Sequence, residues 1–291
     1  MNMATTVQSG FNEFHKKLTP TLKESEAAKN HRNSIKSALE SKYGIWNFFR
    51  TGSFGNGTSI RGYSDVDYFA NIPPSKMNTN STYALREVRE VLNNRFPQTG
   101  VSVRTPGVLV PFGTDASEST EVIPTTSLFD DNDNLIYKIA DGSGGWMLSN
   151  PRKHIEYVNE INSKGNGKVK PLIRFIKAWK YYQNVPISSF YLEMRVAKYA
   201  SSNFPIIYSW DIRNIFKSLL DTKLSSMQDP QGICGYIEPC STEKKKEESL
   251  SKLSTAYSRA KNAKDAEDND KIMDAFSWWH LLFNYEFPHY G

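Results

Sequence analysis

Gly52-Ser53-Phe54-Gly55-Asn56-Gly57-Thr58-Ser59-Ile60-Arg61-Gly62-Tyr63-Ser64-Asp65-Val66-Asp67 is the stretch from which the rest of the chain is read. A Gly-Ser turn precedes an Asp-x-Asp pair, and the pair opens a strand-like run from Val66 to Ile72. Alternate residues of a strand point to one face. Asp65 and Asp67 therefore share a face with Phe69 and Asn71, while Val66, Tyr68, Ala70 and Ile72 turn into a core. Two carboxylates about 6–7 Å apart along a strand repel by about 2–3 kcal/mol at an effective dielectric of roughly 20. A divalent cation between them removes that cost, and Mg²⁺ takes oxygen ligands from carboxylates and substrate phosphates. The glycine lets the backbone approach a phosphate closely, successive N–H groups of such a turn form an anion nest, and the Ser53 hydroxyl can donate to a phosphate oxygen. A phosphate cradle beside paired metal-binding carboxylates is the equipment of phosphoryl or nucleotidyl transfer.

The pattern Gly52-Ser53…Thr58-x-Ile60…Ser64-Asp65-x-Asp67 resembles the nucleotidyltransferases of the DNA polymerase β superfamily. Within it, the chain is similar to the branch holding cyclic GMP–AMP synthase, 2′-5′ oligoadenylate synthetase and the bacterial CD-NTases (SMODS nucleotidyltransferases) of antiphage signalling. The resemblance implies a third carboxylate on a neighbouring strand, and Thr120-Glu121-Val122-Ile123-Pro124 supplies Glu121, with Asp115 and Glu118 as rivals. The family more often has Asp at that place. Pro124 is expected to end the strand, since proline cannot donate to a ladder.

Further matches lie downstream. In Lys170-Pro171-Leu172-Ile173-Arg174-Phe175-Ile176-Lys177-Ala178-Trp179-Lys180, an apolar helical face is expected from Val169, Leu172, Ile173, Ile176 and Trp179. Lys170, Arg174, Lys177 and Tyr181 fall on the opposite stripe. The resemblance makes Lys177 a contact of the donor triphosphate. In Ser188-Ser189-Phe190-Tyr191 it makes Ser189 a phosphate contact and Phe190 a ring stacked on the base, with Tyr191 as an alternative to Phe190. Ser188 and Ser189 also suit a helix N-cap.

Composition agrees with a globular chain of this kind. The 291 residues are 38% hydrophobic and 13% aromatic, and the net charge of +5 suits polyanionic small substrates. The basic run Lys244-Lys245-Lys246 is flanked by Glu243, Glu247 and Glu248, which reads as a solvated helix face rather than a nucleic-acid surface. No apolar run is long enough to span a membrane, and the start of the chain lacks a signal-peptide core, so a cytoplasmic protein is expected. Cys234 and Cys240 lack a zinc-ligand set and read as reduced thiols.

The expected architecture is α/β (α+β), with a polymerase β-like nucleotidyltransferase core and a C-terminal helical lobe like that of oligoadenylate synthetase. Residues 1–162 are assigned to the catalytic lobe, which includes a long N-terminal helix over 7–43 broken or kinked at Pro20. Residues 163–291 are assigned to the helical lobe. Strands are expected over 46–51, 65–72, 102–105, 108–112 and 120–123, with a helix over 81–96. Residues 125–150 read as loop-rich, with a hairpin tip at Asp130-Asp131-Asn132-Asp133-Asn134.

The function implied by the resemblance is synthesis of a cyclic di- or oligonucleotide second messenger from nucleoside triphosphates, ATP and GTP among them, in the cleft between the lobes. Pyrophosphate is released, and two Mg²⁺ or Mn²⁺ ions are held by Asp65, Asp67 and Glu121. A linear 2′-5′ oligonucleotide synthetase and a catalytically silent nucleotide-binding scaffold are the alternatives. Implied partners are a downstream effector activated by the cyclic nucleotide and a ubiquitin-like conjugating enzyme acting at Gly291; a monomer is expected.

Overall fold

A computed structural model of the chain describes residues 4–113, 118–130 and 133–291, and of residues 22–29 the backbone alone. The chain forms two compact units, one of residues 20–156 and one of residues 4–19 with 157–291. Each has its own core.

In the first unit, α2 (Leu22–Tyr43) leads into β1 (Asn47–Arg50), the short α3 (Gly52–Asn56) and β2 (Val66–Asn71). Then follow α4 (Ser81–Arg95), β3 (Ser102–Arg104), β4 (Gly107–Val110), β5 (Thr120–Phe129), β6 (Leu135–Ala140), β7 (Trp146–Ser149) and the start of α5 (Pro151–Lys164). The sheet runs in the order β1-β2-β5-β4-β3, with β6 joined to β5 and β7 to β6. β2 and β5 are parallel, with Asp67 opposite Glu121. The other pairings are antiparallel.

The period of two in β2 sorts its faces as expected. Val66, Tyr68, Ala70 and Ile72 join Val108, Val110 and Val122 in the main core, with Ile35 and Leu39 of α2 and Leu85, Val88 and Leu92 of α4. Those helical residues recur at three- and four-residue spacing, so they form one stripe. Asn80 caps α4, its Oδ1 accepting from the Thr82 and Tyr83 N–H groups at 3.0 and 3.2 Å, a contribution of about 1 kcal/mol. Phe69 and Ile123 point the other way, into a smaller cluster with Tyr137 and Ile139.

Three expectations need correction. The strand holding Glu121 does not end at Pro124 but runs on to Phe129. The carbonyls of Ser119 and Thr125 receive the N–H groups of Val66 and Ile72, so odd-numbered residues of β5 face β2. Pro124 faces the other side, in the gap after β4 pairing ends at Val122 and before β6 pairing begins at Thr126. No ladder bond is asked of its nitrogen there. Residues 125–150, read as loop-rich, hold β6 and β7; the expected hairpin tip does join β5 to β6, although Asp131 and Asn132 lie outside the described residues.

The third correction concerns where the start of the chain packs. The break expected at Pro20 is present, with α1 (Val7–Leu18) and α2 as separate helices. Thr19, the residue before the proline, is extended with φ −79° and ψ 128°. α1 belongs to the helical unit. Phe11 packs on Phe175, Trp279 and Phe287, and Phe14 on Phe175, Phe283 and Phe287, with centroids 4.6–5.7 Å apart. His15 Nε2 lies 2.7 Å from Arg174 Nη1, and burial with that guanidinium lowers the imidazole pKa to about 4. The two compact units divide inside α5, a few residues before the glycine turn.

The remaining helices of this unit are α6 (Val169–Tyr182), α7 (Ser189–Ala200), α8 (Tyr208–Asp221), α9 (Glu243–Asp268) and α10 (Ile272–Leu282), with a small β8 (Met227–Gln228) and β9 (Tyr236–Ile237) ladder. Lys244 and Lys245 are exposed on α9, and Lys246 lies 3.8 Å from Glu243, so the basic run is a solvated face. No helix among the described residues is long and apolar enough to cross a membrane.

Candidate active site

Gly52 begins α3 with φ +58°, a conformation that costs L side chains free energy. Space demands glycine as well. A Cβ there would lie 1.8 Å from Asp67 Oδ2. The Thr51 N–H donates to the Asp67 carbonyl at 2.9 Å. The two halves of the motif, separated in sequence, therefore lie directly against each other. The Ser53 carbonyl accepts from Thr58 N–H at 2.8 Å, and Ser64 Oγ accepts from Ile60 N–H at 2.9 Å. Thr58 and Ile60 are buried. These residues of the longer motif thus brace the loop that carries the chain from the glycine turn to the acids.

Asp65 stands just before β2, and Asp67 is its second residue. Glu121 is beside Asp67 in register, on the adjacent strand, where neighbouring side chains share a face. Room for it comes from Gly107 of β4, at which a Cβ would meet Glu121 Cγ at 2.8 Å. The Glu121 pKa is raised to about 7, first by burial, with Asp65 adding to the rise and Arg104 opposing it. A buried carboxyl whose charged form is disfavoured by a neighbouring acid is a group that gains from an added cation. The donors are all oxygen, as Mg²⁺ or Mn²⁺ prefers, so the residues present fit the implied metal.

Of the rivals to Glu121, Glu118 accepts from His31 Nε2 at 2.8 Å, and Asp115 lies outside the described residues. The residue that the sequence did not reveal is Arg104. Its Nη1 donates to Asp65 Oδ2 at 2.7 Å. It reaches the acids through two antiparallel pairings, β3 on β4 and β4 on β5, and no local pattern announces that.

The other expected site residues lie in the helical unit. Here the basic stripe of α6 is not as foreseen. Arg174 and Lys177 are buried, because α6 is packed on nearly every face from Val169 to Trp179. Lys177 Nζ donates to Glu193 Oε1 of α7 at 2.5 Å. Lys177, the expected phosphate contact, is thus buried beside Glu193, and the lysine that reaches Ser189 is Lys180. Lys180 Nζ donates to Ser189 Oγ at 2.6 Å, and Tyr181 Oη lies 3.2 Å from the same oxygen. Ser188, not Ser189, caps α7, accepting from Tyr191 N–H at 3.3 Å. Phe190 is 36% exposed. Tyr191 is buried and donates to the Ser225 carbonyl at 2.7 Å, so it cannot exchange roles with Phe190 as a ring platform.

Comparison with known proteins shows the family of the chain. A Bacillus cereus (strain VD146) protein described as a "Probable cyclic nucleotide synthase" is 31% identical over 157 residues, which cover 52% of this chain and 46% of that protein. The "Cyclic AMP-AMP-AMP synthase" of Acinetobacter sp. (strain ATCC 27244 / 9458) is 28% identical over 173 residues, covering 52% and 49%. The chain thus spans about half the length of these curated relatives. The structure of Escherichia coli MS115-1 CdnC in complex with HORMA-deltaN superposes with a TM-score of 0.74 over 96% of this chain and 97% of that one, at 15% identity. The family model of the Second Messenger Oligonucleotide or Dinucleotide Synthetase domain matches residues 5–162, more than half of the sequence, and the chain accordingly belongs to the SMODS family, the bacterial CD-NTases.

Proposed function

We propose that the chain is a nucleotidyltransferase that joins nucleoside triphosphates into a cyclic di- or oligonucleotide and releases pyrophosphate. The observation that carries this is the register of Asp67 against Glu121, with Asp65 just upstream and Gly52 pressed against the Asp67 carboxylate. The two relatives named for cyclic nucleotide synthesis support it.

Asp65, Asp67 and Glu121 would hold the divalent cations. When bound, Mg²⁺ or Mn²⁺ neutralises triphosphate charge and lowers the pKa of an attacking ribose hydroxyl. The chain's own groups do the rest. The Gly52-Ser53 turn offers backbone N–H groups and a hydroxyl to phosphate oxygens. Lys180 and Ser189 offer a charge-assisted donor pair to a phosphate, and Phe190 offers a face for base stacking. Glu121, neutral below about pH 7, becomes a full ligand as it loses its proton.

The biological reading follows from the same resemblance. The product would serve as a cytoplasmic second messenger that activates an effector in antiphage defence, and Gly291 would be the site for a ubiquitin-like conjugating enzyme. The test is incubation with all four nucleoside triphosphates and Mg²⁺ or Mn²⁺, then phosphatase treatment and mass spectrometry. A phosphatase-resistant product carrying only bridging phosphates supports ring synthesis. Linear 2′-5′ oligomers alone, or no pyrophosphate at all, would overturn it.

A further inference from the structure

One cation already acts on two of the three acids. Arg104 is the last residue of β3, paired with Gly107 across the turn Thr105-Pro106. β4 in turn pairs with β5 at Leu109 and Glu121. The backbone that carries Arg104 is thus tied by ladder bonds to the strand that carries Glu121. Its guanidinium takes Asp65 Oδ2 at 2.7 Å, and its charge also acts on Glu121. The Arg104 side chain is 59% exposed and Asp65 27%. It is therefore not buried to fill a core, and water can replace its partner.

We propose that Arg104 is a built-in counter-ion that holds the acid cluster in the metal-free protein, and that a divalent cation binds only by displacing its guanidinium from Asp65. This rests on the reading that Asp65, Asp67 and Glu121 are the metal ligands. The physical case has three parts. A guanidinium presents a rigid fork of donors that matches carboxylate oxygens. A hard cation needs those same oxygens ionised and open. A solvent-exposed ion pair is weak enough to exchange, its loss amounting to less than about a tenfold change in an equilibrium. Arg104 therefore sets a threshold of divalent cation for occupancy without blocking the site. It acts through Asp65 and is a positioning residue, not a catalytic one.

The test is Mn²⁺ binding without nucleotide, read by the EPR signal of free Mn²⁺, for the wild type and for Arg104→Gln, Arg104→Lys and Asp65→Asn. Arg104→Gln should bind Mn²⁺ about three- to tenfold more tightly. Arg104→Lys keeps the charge and should stay nearer the wild type. Because Arg104 is exposed, both variants should melt at the wild-type temperature. Equal or weaker Mn²⁺ binding by Arg104→Gln, with binding still dependent on Asp65, overturns the counter-ion proposal and leaves the metal site standing. Binding that is absent, or indifferent to Asp65→Asn, overturns the metal site and the proposal with it.

Discussion

The expected acids lie on a sheet and the expected cations on a packed helix, and the two settings differ in how far spacing fixes the surroundings of a side chain. On β2 the alternation is strict. Asp67 shares its face with Phe69, and Val66, Tyr68 and Ala70 face the main core. On α6 the same kind of argument did not foresee that Lys177 is buried, because an amphipathic pattern assumes that one face meets water. α6 is packed from Val169 to Trp179, so its polar residues are satisfied inside the unit, Lys177 by Glu193. A strand that alternates declares its faces; a helix surrounded by other helices does not.

Several substitutions would break or sharpen this contrast. The largest effect belongs to Asp67→Ala. Pyrophosphate release from nucleoside triphosphates should fall by about 10³-fold or more, while the far-ultraviolet circular dichroism stays as in the wild type. Retention of wild-type turnover would remove the acids from the chemistry.

Next comes Lys177→Met. Loss of one partner from a buried ion pair takes the Lys177 charge from Glu193, which Arg174 also faces, at a cost of up to about 3–5 kcal/mol. Urea denaturation should show it as a lower midpoint. An unchanged midpoint together with a raised KM would mark Lys177 as a substrate contact, the role first expected of it.

Glu121 gives a smaller, pH-dependent effect. Its pKa in the folded protein is raised to about 7 from an ordinary value of 4.5. The native state thus binds more protons than the unfolded one between those values, and linkage makes stability fall as pH rises through that window. The stabilisation is fully present below the unfolded pKa and lost above about pH 7. In metal-free buffer the loss should be about 1–3 kcal/mol, should vanish in Glu121→Gln, and should shrink when Mg²⁺ is added. A flat profile in the wild type would mean that folding leaves the Glu121 pKa unshifted. The smallest change is expected for Lys180→Ala, a rise of about tenfold in KM for nucleoside triphosphates with no shift in melting temperature. An unaltered KM would detach Lys180 and Ser189 from substrate.

How far such a site can be read before folding depends on where its parts sit in the chain. Gly52, Asp65 and Asp67 were legible because a tight turn and a period of two are local. Glu121 was legible only by resemblance, and its register against Asp67 gives the physical reason for its place. Arg104 was not legible. Its approach to Asp65 is set by the pairing of β3 on β4 and β4 on β5, which no stretch of neighbouring residues encodes. The same holds for Pro124, whose tolerance within β5 depends on which neighbour strand is missing beside it. α1 shows another limit. Its aromatic stripe with Phe11 and Phe14 announces a buried face, but not that the partners are Phe283 and Phe287 near the other end of the sequence.

That last pairing shapes the order in which the molecule can assemble on the ribosome. The ring of Phe14 meets that of Phe287 only after about 270 further residues have been polymerised, roughly 15–55 s at common elongation rates. During that wait the 20–156 segment emerges in full and can close its own core, while the first helix carries unpaired aromatic rings. Stalled nascent chains ending near residue 200 should therefore resist protease across the sheet and be cut readily before Pro20.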